Sequence, residues 1–171
     1  MARSLSNGII VRDTIEKDLP DILEMYNDAV LNLTATFDLV PQSLEERRTW
    51  FLRHGGKYPV ISADINGRVV GFCSISPFSS KQGYAPTVEL SVYIHKEFRR
   101  KGIAMILMEE IISIAKELGY HAILSLIAAN NEPSIALHNK LGFERVAHLP
   151  QVGYKFSQWQ DVDYYELLLP E

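Results

Sequence analysis

The stretch Val88-Glu89-Leu90-Ser91-Val92-Tyr93-Ile94-His95-Lys96-Glu97-Phe98-Arg99-Arg100-Lys101-Gly102-Ile103-Ala104 decides the fold. In its first half Val88, Leu90, Val92 and Ile94 alternate with Glu89, Ser91 and Tyr93, which is the period of a strand. Beyond Gly102 the apolar residues Ile103, Leu107, Ile111, Ile114 and Leu118 recur at helical spacing. The junction is therefore a helix N-terminus behind a compact loop charged by Arg99, Arg100 and Lys101. Unpaired N–H groups and the positive end of the helix dipole meet at such a point, which suits it to a phosphate. Gly102 lets the backbone take unusual dihedrals and approach a ligand closely.

Working outward, the chain reads as an α/β domain with a mixed sheet. Residues 1–7 are expected as a loose tail and Gly8–Arg12 as a short strand. Thr14 or Asp18 is expected to cap a helix whose face is Leu19, Ile22, Leu23, Tyr26, Val30 and Leu33, with Pro20 in its first turn. Thr34–Asp38 breaks that pattern as loop. Ser43-Leu44-Glu45-Glu46 opens a second helix with a capping box, and Gly55-Gly56 ends it. Tyr58–Ile65 and Arg68–Ser76 read as a hairpin across Asn66-Gly67, and Pro77–Pro86 as a loop. After Gly119, the nearly continuous apolar run Ala122–Ile127 suits a central strand parallel to Val88–Ile94. A helix follows from Asn131-Glu132-Pro133-Ser134 to Gly142, then a strand Phe143–Leu149, a loop Pro150–Gln160 and a last strand Val162–Leu169.

Composition sets bounds. A chain of 171 residues fits one domain, and 47% apolar with 22% charged residues is ordinary for a globular protein. The net charge of −4 argues against a nucleic-acid partner. The lone Cys73 lies inside a strand pattern, so it reads as a small buried side chain rather than a nucleophile. One cysteine forms no internal disulfide, no run reaches membrane-spanning length and no leader is visible, so a cytoplasmic protein with no membrane partner is expected. The five histidines give no metal-ligand spacing on one helix, so no metal site is expected, and neither a P-loop nor a Rossmann glycine pattern is present.

Two parallel strands that diverge beyond their C-terminal ends open a crevice in which α/β sheets bind ligands. Here those ends are Ile94 and Ile127, and the helices that follow begin at Gly102 and Asn131. Both polar helix starts then face one crevice, a shape that suits a long ligand with a pyrophosphate and an amide-bearing arm. Arg99-x-x-Gly102-x-Ala104 resembles the pyrophosphate signature of the GNAT superfamily of acetyl-CoA-dependent N-acetyltransferases. Asn131-x-x-Ser134-x-x-Leu137-His138-x-x-x-Gly142-Phe143 is similar to the element that follows the central strand in that family. Thr87–Ile94, Leu137-His138 and Pro150-Gln151-Val152-Gly153-Tyr154-Lys155-Phe156-x-x-Trp159-x-Asp161 resemble its phosphinothricin and methionine sulfoximine N-acetyltransferase branch, and this likeness covers nearly the whole chain.

The resemblance implies a GNAT-like mixed sheet with splayed central parallel strands flanked by helices, acetyl-CoA as co-substrate, a small-molecule amine acceptor and a homodimer. It places Val92, Tyr93 and Ile94 along the acetyl and pantetheine arm, Arg99, Arg100, Lys101, Gly102, Ile103, Ala104 and Met105 at the pyrophosphate, and Asn131 and Ser134 on the arm. An amine is mostly ammonium at neutral pH and must lose a proton before it attacks a thioester. Glu89 is the candidate base and His138 the candidate partner for the departing thiolate, or a sharer of the base role. Thr36 and Phe37, with Trp159, are candidates to wall the acceptor pocket or a dimer interface. Lys81 and Tyr84 stand where the branch carries acceptor-binding residues, but Ser79 replaces the first of its usual two basic residues and Lys81 the second. A lysine lacks the planar fork that grips a carboxylate, so altered recognition of anionic acceptors is expected. Acetylation of a protein or peptide, a non-catalytic acyl-CoA sensor and a ligand-free dimerisation module are the rival readings. A sensor needs neither Glu89 nor His138.

Overall fold

The computed structural model describes residues 3–5 and 8–170. The elements in chain order are β1 (Arg3–Leu5), β2 (Ile9–Asp13), α1 (Leu19–Asn32), α2 (Leu44–Leu52), β3 (Val60–Ile65), β4 (Arg68–Pro77), β5 (Thr87–Ile94), α3 (Ile103–Glu117), β6 (Ala122–Ala128), α4 (Glu132–Lys140), β7 (Glu144–Lys155) and β8 (Gln158–Leu168). The strands form one mixed sheet of eight in the order β1-β2-β3-β4-β5-β6-β8-β7, and β5–β6 is its parallel pair. Helices α3 and α4 cover one face, with Leu107, Met108 and Ile111 of α3 packed on Ala63, Cys73, Val88 and Leu90. Helices α1 and α2 cover the other, where Leu19, Ile22 and Met25 meet Val60 and Phe72. The alternation in β5 therefore sends Val88 and Leu90 toward α3, and Glu89, Ser91 and Tyr93 toward α1 and α2.

The parallel pairing is short. Thr87, Val88 and Glu89 pair with Ala122, Ile123 and Leu124. From Leu90 to Ile94 β5 stays with β4 alone, while β6 continues along β8 as far as Ala128. The expected splay is present, rooted at Glu89. Gly71 of β4 fixes how α3 sits above it. A Cβ at this position would lie 2.7 Å from Ile94 Cδ1, 3.1 Å from Leu107 Cδ1 and 3.2 Å from Ile103 Cγ2. The missing side chain is the space that lets the first turn of α3 settle on the sheet beside the splay.

Three expectations are corrected. Within the supposed tail, Arg3–Leu5 pairs antiparallel with Ile9–Val11, while residues 1, 2, 6 and 7 of that tail lie outside the described residues. Neither Thr14 nor Asp18 caps α1. Thr14 Oγ1 bonds Ser62 Oγ at 2.6 Å, and the Asp18 carboxylate accepts from Ile15 N and from Arg12, which also bridges to Asp64. Pro150–Gln160 is not a loop either. It belongs to a long hairpin in which Gly153, Tyr154 and Lys155 pair with Gln160, Trp159 and Gln158 around a turn at Phe156-Ser157. The expected caps at Ser43 and Asn131, the Asn66-Gly67 turn and the glycine stops at Gly119 and Gly142 are all present.

Gly71→Val overpacks the seat of α3. We expect a loss of roughly 1–3 kcal/mol in urea unfolding, together with weaker coenzyme A binding by calorimetry, and Gly71→Ala should lie between the two.

Candidate active site

The walls of the splay are Leu90–Tyr93 of β5 and Ser125–Ala128 of β6, with Asn131, Ser134 and His138 of the α4 region and Ala35 closing it. Buried strand edges normally have partners for their N–H and C=O groups. Here the facing edges of β5 and β6 separate, which leaves the Val92 region open to a ligand in the gap.

Two buried side-chain atoms sharpen this picture. Ser125 and His138 are each only 2% exposed, and both line the crevice. Ser125 Oγ and His138 Nε2 have no hydrogen-bond partner among the described residues. Leaving a buried polar atom unmet costs about 1–3 kcal/mol. Two such atoms in one crevice fit a ligand with polar atoms along its length, such as the amide-bearing arm of coenzyme A. Ser125 carries no weight in the sequence alone, although it is the polar residue in the otherwise apolar run Ala122–Ile127.

The protonation state of His138 follows from geometry. Its Nδ1 lies 2.7 Å from the Ser134 carbonyl oxygen, which can only accept, so Nδ1 carries the hydrogen. Burial holds the imidazole below its usual pKa, so the ring is neutral at pH 7 and Nε2 presents a lone pair. Phe143 and Tyr165 flank the ring, with centroids at 5.0 and 6.2 Å. Asn131 Oδ1 accepts from Ser134 N at 3.3 Å, which caps α4 and faces its start toward the crevice.

At the mouth, α3 begins after two left-handed residues, Arg100 with φ 61° and Gly102 with φ 80°. Gly102 supplies no capping side chain, so the first-turn amides keep their donors for an anion. The three basic residues differ in use. The Arg99 guanidinium donates to the Ile94 carbonyl at 3.2 Å and to Asp28 Oδ2 at 2.7 Å, so its side chain fastens the loop to β5 and α1. Lys101 Nζ lies 4.7 Å from the Phe98 ring centroid. Arg100 is exposed. Ile103 is buried against the core, so this residue offers its backbone rather than its side chain.

Glu89 sits at the root of the splay on the α1–α2 face and is partly buried. Burial alone pushes its carboxyl above the ordinary range, and its side chain has no hydrogen-bond or ion-pair partner among the described residues. Tyr93 stacks on Phe72 at 5.1 Å and its hydroxyl donates to the Ala35 carbonyl at 3.4 Å. Thr36 bonds Tyr26 through its hydroxyl, and its carbonyl accepts from Lys155 Nζ at 2.7 Å. Lys155 also donates to the Ala29 carbonyl at 3.2 Å, so the β7–β8 hairpin holds the α1–α2 loop in place. Phe37 packs so closely on Gly153 that a Cβ there would overlap its ring. Lys81 and Tyr84 are not brought into the crevice. They lie in the loop before β5, Lys81 in solvent and Tyr84 edge-on to Phe78 at 5.5 Å.

Among the described residues no group of His, Cys, Asp and Glu is arranged to hold a metal ion, and no helix is long and apolar enough to cross a membrane. Buried Cys73 has its thiol pushed well above the usual range by burial, which leaves it inert as a nucleophile.

Comparison with known proteins agrees with this geometry. The model of the Acetyltransferase (GNAT) family matches residues 21–143. An L-methionine sulfoximine/L-methionine sulfone acetyltransferase of Pseudomonas aeruginosa is 39% identical over 161 residues, 93% of this chain and 94% of the relative. A crystal structure of an N-acetyltransferase from Staphylococcus aureus superposes with a TM-score of 0.92 at 39% identity, covering 95% of this chain and 99% of that one. A phosphinothricin acetyltransferase from Sinorhizobium meliloti, solved in complex with acetyl-CoA, gives 0.91 at 34% identity over 95% and 89% of the two chains. A splayed parallel pair, an uncapped helix start at its mouth and a family match across the middle of the chain lead to one assignment: this chain belongs to the GNAT family of acetyltransferases.

Proposed function

We propose that the protein is a cytoplasmic N-acetyltransferase that moves the acetyl group of acetyl-CoA to the amino group of a small amino-acid-like molecule. The whole of residues 1–171 is read as one catalytic domain, and transfer as direct attack within a ternary complex. The observation that carries this reading is the pair of unmet buried atoms, Ser125 Oγ and His138 Nε2, inside a splay that opens at Glu89. The acceptor class is supported by the relatives that act on methionine sulfoximine, methionine sulfone and phosphinothricin.

In this mechanism the α3 amides from Gly102 to Met105, with Arg100 and Lys101, hold the pyrophosphate, and Val92, Tyr93, Ile94, Asn131 and Ser134 line the arm. Glu89 takes one proton from the ammonium, and the freed nitrogen lone pair attacks the thioester carbon. The Val92 N–H donates to the oxygen as charge develops there. As the carbon–sulfur bond breaks, the second nitrogen proton goes to the thiolate. Neutral His138 serves that transfer through Nε2, accepting the proton and passing it to sulfur. One proton is released through Glu89 and the other ends on the thiol, so the step balances. Thr36 and Phe37 wall the acceptor, and Lys81 and Tyr84 act from the loop before β5. Cys73 is buried and takes no acetyl group.

A homodimer fits the outer edge of the sheet. Strand β7 ends the sheet, and with the hairpin tip it exposes Val146, Val152, Tyr154, Phe156 and Trp159. A long edge strand with exposed aromatic residues calls for a partner.

Two measurements test the proposal. Release of free thiol from acetyl-CoA should follow addition of L-methionine sulfone or L-methionine sulfoximine and stay at background with peptide N-termini. Phosphinothricin should be used less efficiently, because Lys81 is a point charge. Turnover of peptides alone would reverse the acceptor class. Glu89→Gln should lower kcat by ~10²–10⁴-fold with little change in acetyl-CoA affinity. Since Glu89 acts ionised and its carboxyl titrates above the ordinary range, kcat/KM should fall as pH drops through that raised value.

A further inference from the structure

We infer that Arg47 is a positioning residue for the acceptor wall: its buried charge is matched, through the Gln42 carboxamide, by Asp38, and this bridge sets the α1–α2 loop against the crevice. The inference deepens the reading of Thr36 and Phe37 as the acceptor wall and rests on it.

Arg47 stands in the polar run Glu45-Glu46-Arg47-Arg48 at the start of α2, where a solvated side chain is the ordinary expectation. It is instead 2% exposed. Its guanidinium lies between two rings, 3.9 Å from the Tyr26 centroid and 4.5 Å from that of Trp50. Burial lowers its pKa, opposed by Tyr26, Tyr93 and the Asp38 carboxylate, and the group stays a cation at neutral pH. Nε has no hydrogen-bond partner among the described residues, and Nη2 donates to the neutral side chain of Gln42. A buried cation needs a matching charge close by.

Gln42 provides the link to one. Its Oε1 accepts from Arg47, and its Nε2 donates to Asp38 Oδ2 at 3.3 Å. An arginine only donates and an ionised carboxylate only accepts, so the two charges allow the amide one orientation. Tyr26, whose ring lies under Arg47, closes the circuit by donating its hydroxyl to the same Asp38 oxygen at 2.6 Å. That commits the Tyr26 hydrogen, so the Thr36 hydroxyl donates to Tyr26 at 3.1 Å, while Thr36 Oγ1 accepts from Asp38 N at 3.2 Å. Toward α2, the Asn27 carboxamide grips the Gln42 backbone, accepting from its N–H at 2.8 Å and donating to its carbonyl at 2.9 Å. Toward the crevice, Tyr93 meets Tyr26 edge-on at 5.3 Å and its hydroxyl holds the Ala35 carbonyl. Tyr93 and Ala35 both line the splay. Contacts thus run without a break from the buried charge to the crevice wall. Residues 33–43 form no helix or strand, so these bonds, with those of Lys155, fix the loop. Arg47 acts on the acceptor only through that loop.

Gln42→Glu separates neutralising Arg47 from positioning the loop. The glutamate pairs with Arg47 directly, which keeps the buried charge matched, but it sets a carboxylate against Asp38. The KM for L-methionine sulfone should rise about tenfold, with kcat, acetyl-CoA affinity and the thermal midpoint little changed. Adding Asp38→Asn returns a donor to the contact. The new amide donates both to the glutamate and to the Tyr26 oxygen, whose own hydrogen turns to Thr36, and KM should come back. Hydrogen exchange at the Asp38 and Gln42 backbone amides follows the same order with no acceptor present: slow in the unmodified enzyme, faster in Gln42→Glu, slow again in the double variant. Fast exchange in the unmodified enzyme, a measurement that needs no variant to fold, would overturn the inference. So would amides that stay protected in Gln42→Glu, or a raised KM that Asp38→Asn leaves in place. Exchange that follows the bridge while KM stays fixed would overturn instead the reading of this loop as the acceptor wall, so the two failures are distinct.

Discussion

Everything in this molecule turns on where the pairing of β5 with β6 stops. Three residue pairs, ending at Glu89 and Leu124, hold the two strands together. Beyond them each strand follows its other neighbour, β5 along β4 and β6 along β8. A sheet that parts in its middle gives up ladder hydrogen bonds inside the protein, and that loss is tolerable only where something else meets the exposed groups. The gap is flanked by Ser125 and His138, whose inward atoms are also unmet. Unpaired backbone and unpaired side chains thus converge on one volume, and the fold itself supplies the demand for a polar, elongated ligand.

The surrounding elements keep that gap open and give it direction. Gly71 brings α3 down so that its uncapped start sits at the mouth, and Arg99 ties the loop there to Asp28 on α1. The protein is acidic overall, yet the mouth carries Arg100 and Lys101, so the attraction for a polyanion is local. On the opposite face Lys155 reaches from the β7–β8 hairpin to the carbonyls of Ala29 and Thr36. One buried ammonium therefore holds the loop that bears Thr36 and Phe37.

Much of this was legible in the residues. The change from a period of two to a period of 3.6 around Gly102 marks the strand–loop–helix unit, and Asn66-Gly67, with φ of 53° and 86°, marks the hairpin. The β7–β8 hairpin was hidden, because Phe156 and Ser157 take φ of 54° and 59° without the glycine or asparagine that announces such a turn. Tertiary pairing overrides local preference there. The β1 strand was hidden by its length of three residues. At the site, residue type singled out Glu89, Asn131 and His138 as candidates, but hydrogen-bond geometry was needed to show that His138 offers a lone pair and that the Arg99 side chain is bonded to Ile94 and Asp28. Lys81 and Tyr84 stand apart from the crevice because sequence proximity to β5 does not imply proximity to its far half.

The central claim is that the splay is the coenzyme site, and amide NMR during titration with coenzyme A tests it most directly. Resonances of Val92, of Gly102 through Met105 and of the Ser125 strand should shift together and saturate with one affinity. Shifts gathered instead around the cavity of Phe51, His54 and Leu118, with the splay unmoved, would contradict the account.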